Sequence, residues 1–306
     1  GLFDAFSGLM LQSLAFPLYT HEQSKVWMLH SLLQAGDLLV GDRGFCSFVH
    51  LTMLFCRGIH GLFRIHQRQI VDFRPHRKYR RKDCKRRNAK GRRTSRRPMP
   101  RSRFVRRLGK HDQIVEWFKE ATSRPKWMSK EQFALLPESL KVREVRFTLP
   151  RKGQRTLCIT IATTLLDAVR YPKEKIAELY GVRWQVETHF GELKTTLRMR
   201  KVKSKKSQGV LKELVIYALV YNLVHLVMLR AAHSQSVMPD RVSFIDAVRW
   251  LLCAAPGDPL GVLVINPRRK DRHEPRVVKD QQDTYTKMVH PREELRKALK
   301  KQAINA

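Results

Sequence analysis

Residues 74–110 constrain this chain more than any other stretch. Nineteen of these 37 residues are Lys or Arg and one, Asp83, is acidic, so the segment carries +18 of the chain's total of +34. It holds Gly91, Pro98 and Pro100, few apolar residues and no clean period. Such a run cannot bury a core of its own. Its charge density suits a phosphate-binding arm that does not read sequence and is weakened by salt through counterion release. A solvated basic linker or a localisation tract fits the same composition. Base readout is unsupported, because Tyr79 and Phe104 are almost the only aromatic interruptions.

The flanking sequence must then supply the core, and at 306 residues and 42% apolar it can do so, as one large domain or two ordinary ones. A net +34 opposes compaction and points to a polyanionic partner. Ribosomal-type and membrane-surface proteins share that property. The five cysteines are scattered without a C-x-x-C pair, which argues against a cysteine zinc site or a disulfide framework and for a reducing compartment. Residues 214–229 are the most apolar run, but they are short for a membrane span and contain Asn222 and His225, so a buried helix is expected.

Residues 1–6 and 9–18 are short apolar runs around Ser7-Gly8, a hairpin signal. Residues 21–35 have helical periodicity, with Thr20 as N-cap. A buried strand over 38–41 ends at Asp42, followed by a helix over 45–57 and a strand over 62–66. An amphipathic piece lies within 110–137. Strands over 141–149 and 156–163 flank the turn at Lys152-Gly153, and helices are expected at 211–231, 244–253 and 292–302. Trp117 and Trp127 are candidates for stacking on a base, although burial is the commoner fate of such rings. Asp42, beside Arg43 and Gly44, suits either a turn former or a functional carboxylate.

The densest chemistry lies in YPKEKIAELYGVRWQVETHFGELK, residues 171–194. Tyr180, Arg183, Glu187 and Lys194 are spaced by three, four and seven, which on a continuous helix brings them on or near one face. One carboxylate among cations and a ring is what metal-dependent phosphoryl transfer requires. A solvated face with an ordinary Arg–Glu pair has the same spacing.

This Y-x2-R-x3-E-x6-K pattern, with Trp184 after the Arg, resembles the YREK signature of DDE transposases of the insertion-sequence type 4 family. GDLLVGDRGF, residues 36–45, resembles the strand bearing that family's second catalytic Asp. The resemblance implies a ribonuclease H-like α/β core, here without its first strand. It also implies a first core segment over residues 1–66, a basic, partly β insertion over 67–155, a second core segment with the Glu-bearing helix over 156–232 and a C-terminal tail over 233–306, with a helical C-terminal part. It makes Asp42 and Glu187 the catalytic, metal-holding carboxylates, with Tyr180, Arg183 and Lys194 on DNA phosphates and Arg43 and Arg198 as further contacts. Two Mg²⁺ ions, or Mn²⁺ in their place, are implied, sharing a first Asp that would precede the hairpin. Asp4 is the one early alternative for that Asp, and a turn role suits it better. With Gly1 in place of a Met, a fragment is expected that binds DNA and cuts it poorly. The implied partners are double-stranded transposon ends and target DNA and a second subunit in a synaptic dimer, with no membrane. The implied setting is the bacterial cytoplasm and nucleoid.

Overall fold

The computed structural model describes residues 1–17, 19–79, 99–120, 123–149, 157–199 and 202–263, with two short helical pieces beyond. The centre of the basic arm, residues 80–98, the Lys152-Gly153 turn and most of 292–302 lie outside the described residues. The chain divides into a sheet unit, Glu22–Trp184, and a helical unit, Gly1–His21 with Gln185–Ala306.

The sheet unit is built on strands β3 (Leu38–Gly41), β4 (His60–Arg64), β5 (Arg103–Gly109), β6 (Asp112–Phe118), β7 (Ser139–Leu149) and β8 (Leu157–Thr163). Their order is β3-β4-β8-β7-β6-β5, with β3 and β4 parallel and every other pair antiparallel. The parallel pair needs a crossover, supplied by α1 (Phe48–Phe55), which Ser47 caps by accepting from the His50 N–H at 3.2 Å. The amphipathic piece expected within 110–137 is β6 followed by α2 (Lys130–Ala134). Strands β5 to β7, all within the expected insertion, lengthen the same sheet that holds β3 and β4.

Strand alternation sorts the core into two layers. Leu39, Phe63, Val142 and Ala162 pack with α1. Leu38, Val40, Leu62, Val145, Phe147, Ile159 and Ile161 pack with Ile176 and Tyr180 of α3 (Lys173–Gly181). Beneath α3 lies fully buried Arg143, whose Nε and Nη2 donate to the Asp112 carboxylate at 2.8 and 2.5 Å. Its Nη1 donates to the Tyr171 carbonyl at 2.6 Å, tying the sheet to the segment that leads into α3. On the opposite face of β7, buried Glu144 accepts from Gln113 and from the Trp117 indole. Burial pushes its carboxyl above the usual range.

Residues 21–35 depart from expectation. They form 3₁₀ turns at Glu22–Ser24 and Val26–Leu32 and no α-helix. What holds them is buried His30, drawn onto His50 of α1, an anchor that tertiary packing supplies and local periodicity does not.

In the helical unit, β1 (Leu2–Phe3) and β2 (Met10–Gln12) form a hairpin as expected, but a separate two-stranded sheet rather than part of the larger one. Its free groups go to a helix: Asn222 accepts from the Met10 N–H at 2.8 Å and donates back to its carbonyl at 2.9 Å. The Tyr221 hydroxyl donates to the Gly8 carbonyl at 2.8 Å. Asp4 spends its carboxylate on the hairpin turn, accepting from the Ser7 N–H and hydroxyl at 2.7 and 2.6 Å. The helix is α5 (Ser207–Ser234), 28 residues and longer than expected. By length and composition it could cross a bilayer; here Tyr221, Val224, Met228 and Ala231 pack with α6 (Phe244–Cys253) and the hairpin. It is only half buried, because Val215, Ile216, Leu219 and Leu223 on its other side are exposed.

Candidate functional site

Asp42 follows β3 directly. Its backbone stays extended (φ −79°, ψ 172°), so the alternation that sends Leu38 and Val40 toward α3 sends Asp42 the same way. It then opens a 3₁₀ turn, Arg43–Phe45, whose Phe45 N–H donates to the Asp42 carbonyl at 3.0 Å. Its half-buried carboxylate does not cap that turn. The turn-former reading therefore accounts for the backbone and leaves the side chain available. Exposed Arg43 donates to Gln67 at 3.2 Å.

Tyr180 of α3 packs on the face of the sheet that carries Leu38 and Val40. Its ring is 2% exposed and packs edge-on against Phe147, with centroids 6.4 Å apart. Burial raises its hydroxyl pKa; the Arg183 guanidinium draws it down, and the Asp42 carboxylate pushes it up again. These opposed charges identify Asp42, Tyr180 and Arg183 as electrostatic neighbours on one face of the sheet unit. Arg183 lies 5.9 Å from the Tyr180 ring centroid and 4.4 Å from that of half-exposed Trp184, a stacking arrangement that suits a guanidinium.

A continuous helix does not carry the four motif residues. Helix α3 ends at Gly181, α4 runs over Arg183–Gly191, and a π-helical turn follows at Glu192–Thr196, closed by the Leu197 N–H on the Glu192 carbonyl at 2.9 Å. A π turn is wider than an α turn, so Lys194 is rotated away from the 100° spacing. Arg183 and Glu187 keep their i, i+4 relation on α4, and Glu187 is exposed. Exposed Lys194 places its Nζ 5.1 Å from the Phe190 centroid. Arg198, also exposed, holds a left-handed backbone at φ +59° just after the π turn. Glu187, Lys194 and Arg198 belong to the helical unit; Asp42, Arg43, Tyr180 and Arg183 belong to the sheet unit.

Periodicity gave no sign of the group that holds the Asp42 turn in place. His50 Nδ1 donates to the Phe45 carbonyl at 2.8 Å, which leaves its Nε2 to accept from His30 Nε2 at 2.9 Å. The rings stack 5.0 Å apart, and burial lowers both pKa values to about 4. Gly41 is required by close approach, because a Cβ there would come within 2.8 Å of the Phe63 ring. Neither candidate tryptophan is a free platform, in line with burial as the commoner fate of such rings. Trp117 is buried on Glu144, and Trp127 stacks on Trp27 at 6.0 Å.

The family model described as "Transposase DDE domain" matches residues 1–223. The chain belongs to the DDE transposase family. It is also 32% identical over 197 residues to the transposase InsG for insertion sequence element IS4 of Escherichia coli (strain K12), a match covering 58% of this chain. The chain spans 42% of the length of that relative.

Proposed function

We propose that this DDE transposase chain acts in DNA transposition through a ribonuclease H-like core, cleaving and joining transposon-end DNA. The observation that carries the proposal is Asp42 at the end of a half-buried edge strand, its carboxylate not used to cap the turn it opens and within electrostatic reach of Tyr180, which Arg183 also influences. Asp42 and Glu187 would hold divalent ions, Mg²⁺ or Mn²⁺. Their donor chemistry fits: both offer only oxygen, as hard cations prefer. Such ions, when bound, activate a water or 3′-hydroxyl and stabilise the leaving oxygen.

The remaining side chains position the polyanion. Arg183, stacked on Trp184, offers a planar fork to a phosphate, whereas Lys194 offers a point charge. Buried Tyr180 acts mainly through Arg183, fixing where the guanidinium points. Arg43 and Arg198, both exposed, extend the phosphate contacts, and the basic residues of 74–110 add sequence-independent affinity. A dimer that brings two transposon ends together belongs to the same proposal.

Binding of the purified chain to a duplex carrying the element's terminal inverted repeat, a shuffled duplex and an RNA of equal length, at one salt concentration, tests it. Tighter binding to the repeat than to either competitor is the expected result. Equal or stronger binding to the RNA would reject transposon-end DNA as the partner.

A further inference from the structure

A second chemical cluster lies wholly within the helical unit. His189 of α4, Glu192 of the π turn and His225 of α5 each place one potential ligand atom within 4.8 Å of the others. Glu192 Oε2 is 3.4 Å from His189 Nδ1 and 3.3 Å from His225 Nε2. Charge-assisted hydrogen bonds are shorter, about 2.7–2.9 Å. Donor atoms on neighbouring corners of a tetrahedron with metal bonds of about 2.1 Å lie roughly 3.4 Å apart, which matches both separations.

The surroundings are built for ligation. The three side chains are only 4%, 12% and 16% exposed for His225, His189 and Glu192. His225 Nδ1 lies 3.3 Å from the Ser7 carbonyl. A proton there leaves the Nε2 lone pair facing Glu192, the tautomer that a carbonyl partner selects in ligating histidines. The hairpin turn closes over both rings at Gly8, where φ is +73° and a Cβ would come within 2.6 Å of His225 and 3.1 Å of His189. Phe3 stacks on His189 at 5.3 Å, limiting solvent from that side.

We propose that His189, Glu192 and His225 form a binding site for a transition-metal dication of the zinc class, distinct from the carboxylates Asp42 and Glu187. Two imidazoles with one carboxylate favour zinc, cobalt or nickel over Mg²⁺ or Ca²⁺, which take oxygen ligands. Three protein ligands leave a fourth position for water. The ion would clamp the end of α4, the start of the π turn and the middle of α5, stiffening the helix that carries Glu187.

The test is titration of the chelator-stripped full chain with Co²⁺, followed by its visible absorption, and then displacement with Zn²⁺ or excess Mg²⁺. His189→Gln, Glu192→Gln and Asp42→Ala are run beside the wild type, with far-UV circular dichroism and thermal melting on each. The expected result is one Co²⁺ per chain, displaced by Zn²⁺ and not by Mg²⁺, with affinity at least tenfold weaker in the His189 and Glu192 variants. The visible absorption of four-coordinate Co²⁺ should be retained in Asp42→Ala, and Zn²⁺ should raise the melting temperature of the wild type but not of Glu192→Gln. His189→Gln leaves the buried His225 untouched, so it carries the test should Glu192→Gln not fold. Absence of one-to-one binding, displacement by Mg²⁺, or unchanged affinity in the variants would overturn the proposal.

Discussion

Replacing Arg143 by Met should be among the most damaging single changes in the sheet unit. The guanidinium is fully buried, holds the 5%-exposed Asp112 through two hydrogen bonds and reaches the Tyr171 carbonyl ahead of α3. Methionine fills most of the volume but leaves the Asp112 charge buried and unpaired. Removing one partner of a buried ion pair costs about 3–5 kcal/mol, against a typical domain stability of roughly 5–15 kcal/mol. For a unit of this size each kcal/mol moves the melting temperature by about 2–4 °C, so a fall of roughly 6–20 °C is expected. Exchanging both partners for apolar residues is often near neutral. Arg143→Met with Asp112→Leu should therefore recover most of the loss, giving a coupling energy above about 2 kcal/mol. Urea and thermal unfolding of the wild type, both single variants and the double variant measure this directly. A cost below about 1 kcal/mol for Arg143→Met, or no recovery in the double variant, would refute the reasoning.

Acid should weaken the sheet unit through the His30–His50 pair. Both pKa values are depressed from 6.5 to about 4, so the unfolded state takes up protons first and stability, full above pH 6.5, falls as pH drops toward 4. Each ring accounts for up to about 3 kcal/mol, and the slope of urea stability against pH between 4 and 6.5 should flatten in a His30→Phe, His50→Phe variant. Gly41→Ala should lower the melting temperature because its Cβ meets Phe63, whereas Gly44→Ala, with nothing within 4 Å, should melt within about 2 °C of the wild type. Arg183→Ala should weaken duplex binding and lower its salt slope by about 1; Tyr180→Phe should cost no more than about 1.5 kcal/mol of stability while weakening binding several-fold through Arg183.

Sequence reading succeeded where the determinants are local. The short apolar run over 38–41 marked β3 and its terminal carboxylate, although that edge strand is half-buried rather than buried, and residues 244–253 match α6 to the residue. Asn222 and His225 marked the long apolar helix as a packed one, and both bond the hairpin. What it missed depends on partners distant in the chain. His30 meets His50, Arg143 meets Asp112, and His225 meets Glu192, and none of these residues stands out from its neighbours by spacing. The break at Val182 and the π turn after Gly191 eluded it too, because single residues that widen or interrupt a helix leave the 3.6-residue pattern almost intact.

The central claim is that Asp42 and Glu187 are metal-holding carboxylates beside a DNA phosphate track. Without divalent ions each repels phosphate; with Mg²⁺ bound, each helps attract it. Duplex affinity at constant ionic strength, in EDTA and in Mg²⁺, should therefore be compared for the wild type, Asp42→Asn and Glu187→Gln. The account predicts that both variants bind more tightly than the wild type in EDTA and that the ratio of Kd in EDTA to Kd in Mg²⁺ falls at least threefold in each. A ratio unchanged from the wild type in either variant would contradict it.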